Sequence, residues 1–270
     1  MKITLIPTGG LCNRLRAIAT GVAVADKYNA EIIVCWNNSR GAKANFSDLF
    51  QPINKVNVRL NENKKPIFKV TSERSYYLRS LFFKLLFDKV IYNYSFNRTS
   101  QDITLEENNK LPQNLLLISC YPLCAKYSLK DLFVPTQEIE EAICSITKRF
   151  NHNTIGVHIR RTDNVVSIND SPLEVFIEKM NEEIEKNPNV LFYLASDDYG
   201  VKELMSKTFS GRVISINEIL NRNSTSGMKF AVIELFCLSR TNKIIGSYNS
   251  SYSEMAALLG DVPLQFAIKR

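Results

Sequence analysis

The sequence predicts an α/β fold built from two Rossmann-like domains. Short apolar runs of strand length alternate along the chain with longer stretches of helical periodicity, which is the order that parallel sheets require. A fresh helix and strand begin after Pro135, so the α/β pattern starts twice. Three strands of the second half end in polar clusters, which is typical of the ligand-binding edge of a parallel sheet. We therefore predict an N-terminal domain at residues 1–134 and a C-terminal domain at residues 135–270.

The composition is that of a globular protein with a substantial core. The chain has 270 residues, of which 45% are hydrophobic and 23% are charged. Its net charge of +7 favours anionic partners such as nucleotides or an anionic membrane face. No apolar run reaches the roughly 18 residues of a membrane span, and the first strand is too short for the apolar region of a signal peptide. The six cysteines include no second pair that would make Cys120 and Cys124 a zinc site, so we expect buried thiols in a cytoplasmic protein.

The N-terminal domain opens with a β-α-β unit. Residues 2–6 are predicted to form a strand, Cys12 to about Tyr28 a helix and residues 31–36 the next strand, because apolar runs flank a segment of helical spacing. Residues 53–70 alternate loosely, as strands do, and residues 115–120 form a buried strand.

A Gly9-Gly10 turn precedes the first helix, with Asn13 and Arg14 in the first helical turn. It lacks the full glycine fingerprint of dinucleotide-binding proteins, so we do not predict NAD. Free N–H groups and an arginine at a helix start suit an anion, and we expect Arg14 to be an exposed side chain. The alternative is that Arg14 and Arg16 are ordinary solvated residues of the helix.

The segment from Arg74 to Lys89 is amphipathic. One face carries most of its large apolar side chains, and basic residues occupy the rest; the face consists of Leu78, Leu81, Phe82, Leu85 and Leu86. Packing of this face in the core is the favoured interpretation, and a helix that lies on anionic lipid is the alternative.

The C-terminal domain alternates helices and strands in order. Thr136 is predicted to cap its first helix, and Ser171 with Pro172 is predicted to begin its second. The polar residues 164–171 are predicted to form a loop. The predicted helices cover 137–150, 172–186, 199–208, 230–239 and 253–259, and the predicted strands cover 155–159, 190–195, 212–216 and 243–246.

The strand at residues 155–159 ends in two arginines, Thr162 and Asp163. The planar guanidinium of arginine matches phosphate oxygens two at a time. Adjacent arginines on an extended strand cannot point the same way, so we expect one to reach a ligand. The other would pair with Asp163 or another carboxylate and hold the loop. The alternative is a surface salt-bridge cluster that only closes the strand.

Two further polar clusters follow buried strands and are predicted to meet the first at one sheet edge. Asp197 and Asp198 end one strand, and a hydroxyl-rich turn at residues 247–253 follows the other. A carboxylate can accept from the N1–H and the exocyclic amine of guanine, which adenine cannot match.

These stretches resemble the motifs of the fucosyltransferase superfamily, which joins the α1,2-, α1,6- and protein O-fucosyltransferases and includes nodulation-type enzymes. The pattern His-x-Arg-Arg-x-Asp at residues 158–163 resembles the first motif, Leu-Ala-Ser-Asp-Asp at 194–198 the second, and the serine-rich turn the third. The resemblance is strong over residues 154–260, and Gly-Leu-Cys-Asn-Arg at 10–14 resembles the N-terminal glycine-rich loop.

The resemblance implies a GT-B architecture, in which two Rossmann-like domains face each other across a cleft. It implies inverting, metal-independent transfer of fucose from GDP-fucose, bound to the C-terminal domain, to a glycan hydroxyl. The implied roles are guanine reading by Asp198 with Asp197 beside it, and neutralisation of the diphosphate by Arg160. The remaining contacts to the nucleotide sugar are assigned to Ser247, Ser250, Ser251, His158, and, from the N-terminal acceptor-side domain, Gly10, Asn13 and Arg14. A satisfied core histidine is the alternative for His158.

The general base is the point where the sequence departs from the family. Relatives of the α1,6 type carry a glutamate a few residues past the arginine motif, whereas this chain has Ile168 near that position and Asp170 two residues later. Asp170 is therefore the candidate base, unless leaving-group activation suffices. No metal is expected, because Arg160 takes the place of the ion.

Two other functions stay open: transfer of a different GDP-sugar, and binding of nucleotides or nucleic acid by a basic, non-catalytic protein. The absence of an aromatic RNA-binding pattern argues against nucleic acid. The expected partners are the GDP-sugar and a glycan or glycolipid acceptor, as in polysaccharide biosynthesis. Peripheral contact with the inner face of the membrane is an additional expectation.

Overall fold

The computed structural model describes residues 1–39, 41–62, 66–70, 72–129, 131–216, 218 and 221–269. Its chain forms two compact units, one of residues Met1–Thr136 with Arg222–Thr225 and one of Gln137–Asn221 with Ser226–Arg270. The short return segment belongs to the first unit because it hydrogen-bonds there. The Lys43 amide donates to the Arg222 carbonyl at 3.1 Å.

The first unit is a five-stranded parallel sheet with strand order β3-β2-β1-β5-β4. Its helices and strands, in chain order, are Lys2–Pro7 (β1), Leu11–Lys27 (α1), Glu31–Trp36 (β2), Val58–Glu62 (β3), Glu73–Tyr77 (α2), Ser80–Leu86 (α3), Lys89–Tyr92 (β4), Phe96–Thr99 (α4) and Asn114–Ser119 (β5). The opening β-α-β unit is as the apolar pattern predicts, and β1 lies at the centre of the sheet with five of its six residues buried.

The second unit is also a five-stranded parallel sheet, with order β10-β9-β6-β7-β8. Its elements are Gln137–Thr147 (α5), Thr154–Ile159 (β6), Val165–Asp170 (α6), Leu173–Lys186 (α7), Leu191–Ser196 (β7), Tyr199–Thr208 (α8), Val213–Ser215 (β8), Thr225–Ser239 (α9, all but its first residue), Ile244–Ser247 (β9), Ser251–Gly260 (α10) and Leu264–Ala267 (β10). Two parallel sheets with intervening helices confirm the predicted α/β class.

The core of the second unit fixes the strands that carry the polar clusters. All six residues of β6 are buried, as are five of the six residues of β7. Val157 and Leu194 lie in one apolar cluster with Phe176 of α7 and Met205 of α8. Burial of each side chain of this size stabilises the folded state by about 1.5–3 kcal/mol, and this packing holds the strand ends in place.

A buried ion pair ties α8 to α9. The Lys202 ammonium lies 2.7 Å from the Glu234 carboxylate and donates to the Ile216 carbonyl at 2.8 Å. Burial raises the pKa of Glu234 to about 7, although Lys202 opposes the shift. Because Asp198 is the N-cap residue of α8, this pair also anchors the helix whose start carries a candidate site residue.

The core interpretation of the amphipathic segment 74–89 is wrong. The segment forms two short helices, α2 and α3, and only Phe83 among its large apolar residues is fully buried. The predicted apolar face is exposed instead, with Leu81 70% and Leu85 76% accessible. The predicted loop at residues 164–171 is wrong as well, because α6 occupies most of it.

The remaining differences concern element ends and short strands. Pro172, not Ser171, is the residue before α7, and no side chain caps that helix. The edge strands β4 and β10 are not predicted, because β4 is half-buried and directly follows the apolar helical segment, and β10 contains the exposed Gln265, so neither forms a separate apolar run. Among the described residues no helix is long and apolar enough to cross a membrane. The six cysteines are thiols, and four of them are buried.

Candidate active site

The polar clusters meet at one edge of the second sheet, as the sequence predicts. The central strand β6 pairs with β7 on one side and with β9 on the other, all parallel. Ile159 is in register with Ser196, and His158 with Gly246. The segments that follow the three strands therefore leave the sheet next to one another. In parallel α/β sheets this carboxyl edge is where ligands bind.

Arg160 follows β6 and lies between two carboxylates. Its Nη1 is 2.8 Å from Oδ2 of Asp197, and its Nη2 contacts Oδ1 of Asp163. The Asp197 side chain is mostly buried, whereas the Asp163 side chain is half exposed. The backbone amide of Arg160 donates to Oγ of Ser247 at 2.9 Å, which ties the end of β6 to the end of β9.

Arg161 points away from this cluster, which confirms that the adjacent arginines diverge. Its guanidinium donates to the carbonyls of Arg160 and Ser171 and lies 5.9 Å from the centre of the Phe176 ring. Burial lowers the pKa of Arg161, with Asp197 opposing the shift. The expectation that one arginine reaches a ligand while the other pairs with a carboxylate and holds the loop needs correction. Arg160 contacts Asp163, whereas Arg161 holds the loop by donating to backbone carbonyls.

Asp197 and Asp198 are adjacent, but their surroundings differ. Asp197 is engaged by the loop after β6: Oδ1 accepts from the Arg161 amide at 2.8 Å, and Oδ2 accepts from the Thr162 hydroxyl at 2.5 Å and from Arg160. Asp198 caps α8, its Oδ1 accepting from the Val201 amide at 3.1 Å. In the described part of the chain, Oδ2 of Asp198 accepts no hydrogen bond and is available to a ligand.

The hydroxyls of the serine-rich turn fall into two groups. Ser247 is fully buried, and besides accepting from the Arg160 amide its hydroxyl donates to the His158 carbonyl at 3.3 Å. Its side chain therefore joins strands and does not face a ligand. Ser250 and Ser251 stand at the start of α10, and among the described residues neither side-chain hydroxyl has a hydrogen-bond partner. A helix start with its first N–H groups unbonded is suited to an anion.

His158 is buried at the end of β6 between α10 and the arginine loop. Its Nδ1 is 2.7 Å from Oγ of Ser253, and its ring stacks on Tyr252 with centroids 4.7 Å apart. Burial lowers the pKa of His158 to about 3, an effect that Asp197 opposes and Arg160 reinforces. The imidazole is therefore neutral at physiological pH. The first motif alone does not predict these contacts of His158 with Ser253 and Tyr252.

Helix α6 holds the turn between β9 and α10. The Ser167 hydroxyl donates to the Tyr248 carbonyl at 2.6 Å, and the Tyr248 amide donates to the Ser171 hydroxyl at 2.8 Å. The Asn164 amide donates to the carbonyl of Asn249, whose φ is +53°. Only the polar composition of residues 164–171 signals this role in the sequence, and polarity alone suggested a loop.

Asp170, the candidate base, is the last residue of α6. Its backbone carbonyl accepts from the Lys269 amide at 2.9 Å, and its side chain is half-buried. Within the described ranges, no hydrogen bond or ion pair links its carboxylate to Arg160. The structure therefore brings Arg160, His158, Asp197 and the serine turn into one contact network, of which Asp170 is not a direct member.

The remaining candidates, Gly10, Asn13 and Arg14, belong to the first unit. Gly10 precedes α1 in extended conformation, and an added Cβ there meets no atom closer than 4.0 Å. Asn13 is half-buried in the first turn of α1. Gly9 has a φ of +79°, which favours glycine in this turn.

The expectation that Arg14 is exposed is wrong. Only 2% of its surface is accessible, and its guanidinium donates to the Gly9 carbonyl at 2.8 Å, to the Asn37 carbonyl and to the Ser39 hydroxyl at 2.8 Å. The group also lies 5.1 Å from the centre of the Trp36 ring. Burial lowers the pKa of Arg14 to about 10. Arg14 therefore joins the glycine turn to the loop after β2.

No cluster of three or more histidine, cysteine, aspartate or glutamate side chains with metal-binding geometry occurs among the described residues. The acidic pair at 197–198 is divided between the arginine loop and the start of α8, as described above. In this arrangement the charge opposite the carboxylates comes from Arg160.

The fold is shared with solved fucosyltransferase structures. Fucosyltransferase NodZ from Bradyrhizobium aligns with a TM-score of 0.66 at 17% identity, covering 98% of this chain and 95% of NodZ. Arabidopsis thaliana FUT1 in complex with GDP aligns with a TM-score of 0.62 at 16% identity, over 98% of this chain and 69% of that one. POFUT1 in complex with GDP aligns with a TM-score of 0.60 at 13% identity, over 98% and 97%.

No protein-family model matches the chain. At these identities the likeness establishes the fold over nearly the whole chain. The predicted resemblance to the fucosyltransferase superfamily is thereby confirmed at the level of structure.

Proposed function

We propose that this chain is a glycosyltransferase that moves fucose from GDP-fucose to a hydroxyl of a glycan acceptor. The observation that carries the proposal is the presence of Arg160 and of an Asp198 carboxylate oxygen without a hydrogen bond among the described residues, at the ends of neighbouring strands in a fold shared with fucosyltransferases. The neighbours NodZ and POFUT1 have each been solved with GDP and with GDP-fucose. A diphosphate and a guanine base need just these two kinds of group, a cation and a carboxylate.

Asp198 is the proposed guanine reader. Its Oδ1 already caps α8, which fixes the orientation of the carboxylate, while Oδ2 stays available to accept from the N1–H or the exocyclic amine of guanine. Asp197 is less suited to this role, because the arginine loop already occupies both of its oxygens. We assign Asp197 the role of holding Arg160 in place.

Arg160 is the proposed partner of the diphosphate. Its contact with Asp197 lies on the buried side and its contact with Asp163 on the exposed side, so phosphate oxygens would compete with Asp163. The guanidinium would then stabilise the negative charge that grows on the diphosphate as the sugar leaves. A fixed cation in this position supports a mechanism without a metal ion. Direct attack of the acceptor hydroxyl on the sugar would invert the configuration of the anomeric carbon.

The start of α10 is the proposed second phosphate contact. The hydroxyls of Ser250 and Ser251 and the first backbone N–H groups of this ten-residue helix are suited to phosphate oxygens. Ser247 contributes indirectly, by holding the Arg160 backbone. His158 would keep α10 in position through Ser253 and need not touch the nucleotide.

Asp170 stays the proposed general base, and the acceptor-side role of the first unit, with Gly10, Asn13 and Arg14, stays a prediction from the resemblance. The burial of Arg14 supports a structural role for that residue. Asn13, whose side chain has no hydrogen-bond partner within the described ranges, is better suited to contact a substrate.

The experiment that tests the proposal compares nucleotides and two adjacent variants. GDP should raise the melting temperature of the native protein, and ADP should not. The Asp198→Asn variant should lose most of this GDP effect while keeping near-native stability, since a carboxamide still accepts the Val201 hydrogen bond but presents a donor where the guanine also donates.

The matched control is Asp197→Asn, which should lower stability because it weakens the four contacts that hold the arginine loop. Unchanged GDP affinity in Asp198→Asn would contradict the assignment of the base reader. A hydrolysis screen over nucleotide sugars then identifies the donor: release of GDP from another GDP-sugar, and not from GDP-fucose, would exclude fucose transfer.

A further inference from the structure

The first unit presents an exposed apolar face on α2, α3 and the residues between them. More than half of the surface of each of its six side chains is accessible, and they are Tyr77, Leu78, Leu81, Phe82, Leu85 and Leu86. Their spacing places the residues of this apolar face along one side of the segment. Single exposed leucines are ordinary on protein surfaces, but a contiguous group of this size indicates an interaction site.

The apolar face is held outward by buried aromatic residues on the opposite side of the same segment. Phe83 is fully buried in a cluster with Val70 and Ile118, and its ring lies 6.3 Å from that of Tyr76. Tyr76 in turn stacks on Tyr92 of β4 with centroids 3.9 Å apart. The segment therefore cannot turn its apolar face inward without losing this packing.

The charge around the apolar face is positive. From Glu73 to Asp88 the sequence has three basic residues and one acidic residue at each end, for a net charge of +1 (three minus two). The Glu73 carboxylate accepts from the Tyr77 hydroxyl at 3.4 Å, and Asp88 accepts from the backbone amides of Gln113 and Asn114 at 2.9 and 2.8 Å. Arg74 and Lys84 are exposed, and Arg79 is half-buried, with Nη1 donating to the Ser75 carbonyl at 2.8 Å. An apolar face bordered by cations is the combination found in helices that lie in the interface of an anionic bilayer.

We propose that the apolar face docks the protein on the surface of an anionic lipid bilayer. Leu81, Phe82 and Leu85 enter the boundary between head groups and acyl chains, and Arg74 and Lys84 contact lipid phosphates. A second copy of the chain fits this face less well. Two-fold pairing sets the same patch of both copies together, and in this patch three basic residues meet one bordering carboxylate that is not bonded to backbone amides, Glu73, so that like charges outnumber opposite ones.

The test is flotation of the full-length protein with lipid vesicles, without donor or acceptor, so that its outcome is independent of the proposed activity. The protein should float with vesicles of phosphatidylcholine and phosphatidylglycerol, and only weakly with vesicles of phosphatidylcholine alone. Leu81→Ser combined with Leu85→Ser should lower the partition coefficient by more than about tenfold. Each neutralised charge, in Arg74→Gln or Lys84→Gln, should lower binding to the anionic vesicles by about fivefold.

The matched control is Leu204→Ser combined with Leu258→Ser, which changes two half-exposed leucines in the second unit and should leave flotation unchanged. Melting temperatures of all variants check that the fold is intact. The proposal is wrong if the native protein does not float with either vesicle, or if the Leu81 and Leu85 variant floats as well as the native protein. Concentration-dependent dimerisation that this variant abolishes, without vesicle binding, would assign the face to a second copy.

Discussion

Arg160 is the residue whose side-chain geometry the proposed reaction depends on most. Its two terminal nitrogens contact Asp197 and Asp163 separately, in a planar fork that a lysine ammonium does not reproduce. We expect Arg160→Lys to fold normally and to lose activity by a factor that corresponds to about 1.5–3 kcal/mol, the value of a hydrogen bond to a charged group. Steady-state fucosyl transfer and a thermal melt of the same preparation measure this.

The assay should be run with and without excess EDTA. Activity of the native protein that persists in EDTA fits a mechanism in which Arg160 supplies the positive charge. A loss that added divalent metal restores would contradict it, and so would near-native turnover by a folded Arg160→Lys protein.

Arg14 shows how burial changes the prediction for a charged residue. Its guanidinium is inaccessible and hydrogen-bonded to the glycine turn and to the loop after β2. Arg14→Ala should therefore destabilise the protein first, by about 1–3 kcal/mol for each buried acceptor left unsatisfied. Chemical denaturation of the variant measures the free energy of unfolding.

The control is Arg59→Ala. The Arg59 side chain is 70% exposed and lies 3.9 Å from Glu31, so its removal should change stability by no more than about 0.5 kcal/mol. An Arg14→Ala protein as stable as the Arg59→Ala protein, but inactive, would return Arg14 to a role in the site.

At the scale of elements, the packing of α10 on β9 positions the histidine of the site. An added Cβ on Gly246 would lie 2.6 Å from Cβ of Ser253, the residue whose hydroxyl contacts His158. Gly246→Ala should push α10 away from the sheet, with a loss of about 1–3 kcal/mol in stability as for other overpacked cores. It should also weaken GDP binding, because Ser250 and Ser251 move with the helix start.

Gly200→Ala is the matched control. Gly200 is exposed in the first turn of α8, and the only atom close to an added Cβ is the Asp198 carboxylate oxygen at 3.3 Å. Alanine is the better helix former, so this variant should be at least as stable as the native protein. Equal melting temperatures for the two variants would contradict the close packing of α10 on β9 at Gly246.

The elements also show where sequence patterns mislead. The strands β6 and β7 can be predicted from the sequence, because strands that are buried on both faces of a parallel sheet form continuous apolar runs of this length. The prediction that the apolar face of α3 lies in the core is wrong. Helical spacing shows that a helix has an apolar face, but it does not show whether other residues cover that face. The strands β4 and β10 lack the fully apolar run of a buried strand, because β4 is half-buried and β10 contains an exposed Gln265.

At the scale of the whole molecule, His158 should make stability depend on pH. Its pKa is about 3 in the folded protein against an ordinary value of 6.5, because burial disfavours the charged ring. Below pH 6.5 the unfolded chain takes up a proton that the folded chain does not. This contribution to stability is therefore complete above pH 6.5 and is lost as the pH falls toward 3. The slope approaches about 1.4 kcal/mol per pH unit.

Denaturation curves between pH 7 and pH 4 measure the slope. His158→Asn should be less stable at pH 7 but should lose less stability on acidification than the native protein. The control is His152→Gln, which removes the other histidine at an exposed position and leaves the buried ring of His158 in place. A slope unchanged in His158→Asn would mean that carboxylates alone cause the acid loss.

From the amino-acid pattern alone we predict the α/β class, the central strands and the meeting of three polar clusters at one sheet edge. These follow from the periodicity of apolar residues and from the rule that parallel strands end at the same edge. The folded chain adds that Asp197 is bonded to the arginine loop while one oxygen of Asp198 accepts no hydrogen bond among the described residues. It also shows that Ser247 and Arg14 are buried and that the apolar face of α3 is exposed. The physical reason is that hydrogen-bond partners and burial are set by residues distant in the chain, such as Ser247 for Arg160 and Asn37 for Arg14, and local patterns do not record them.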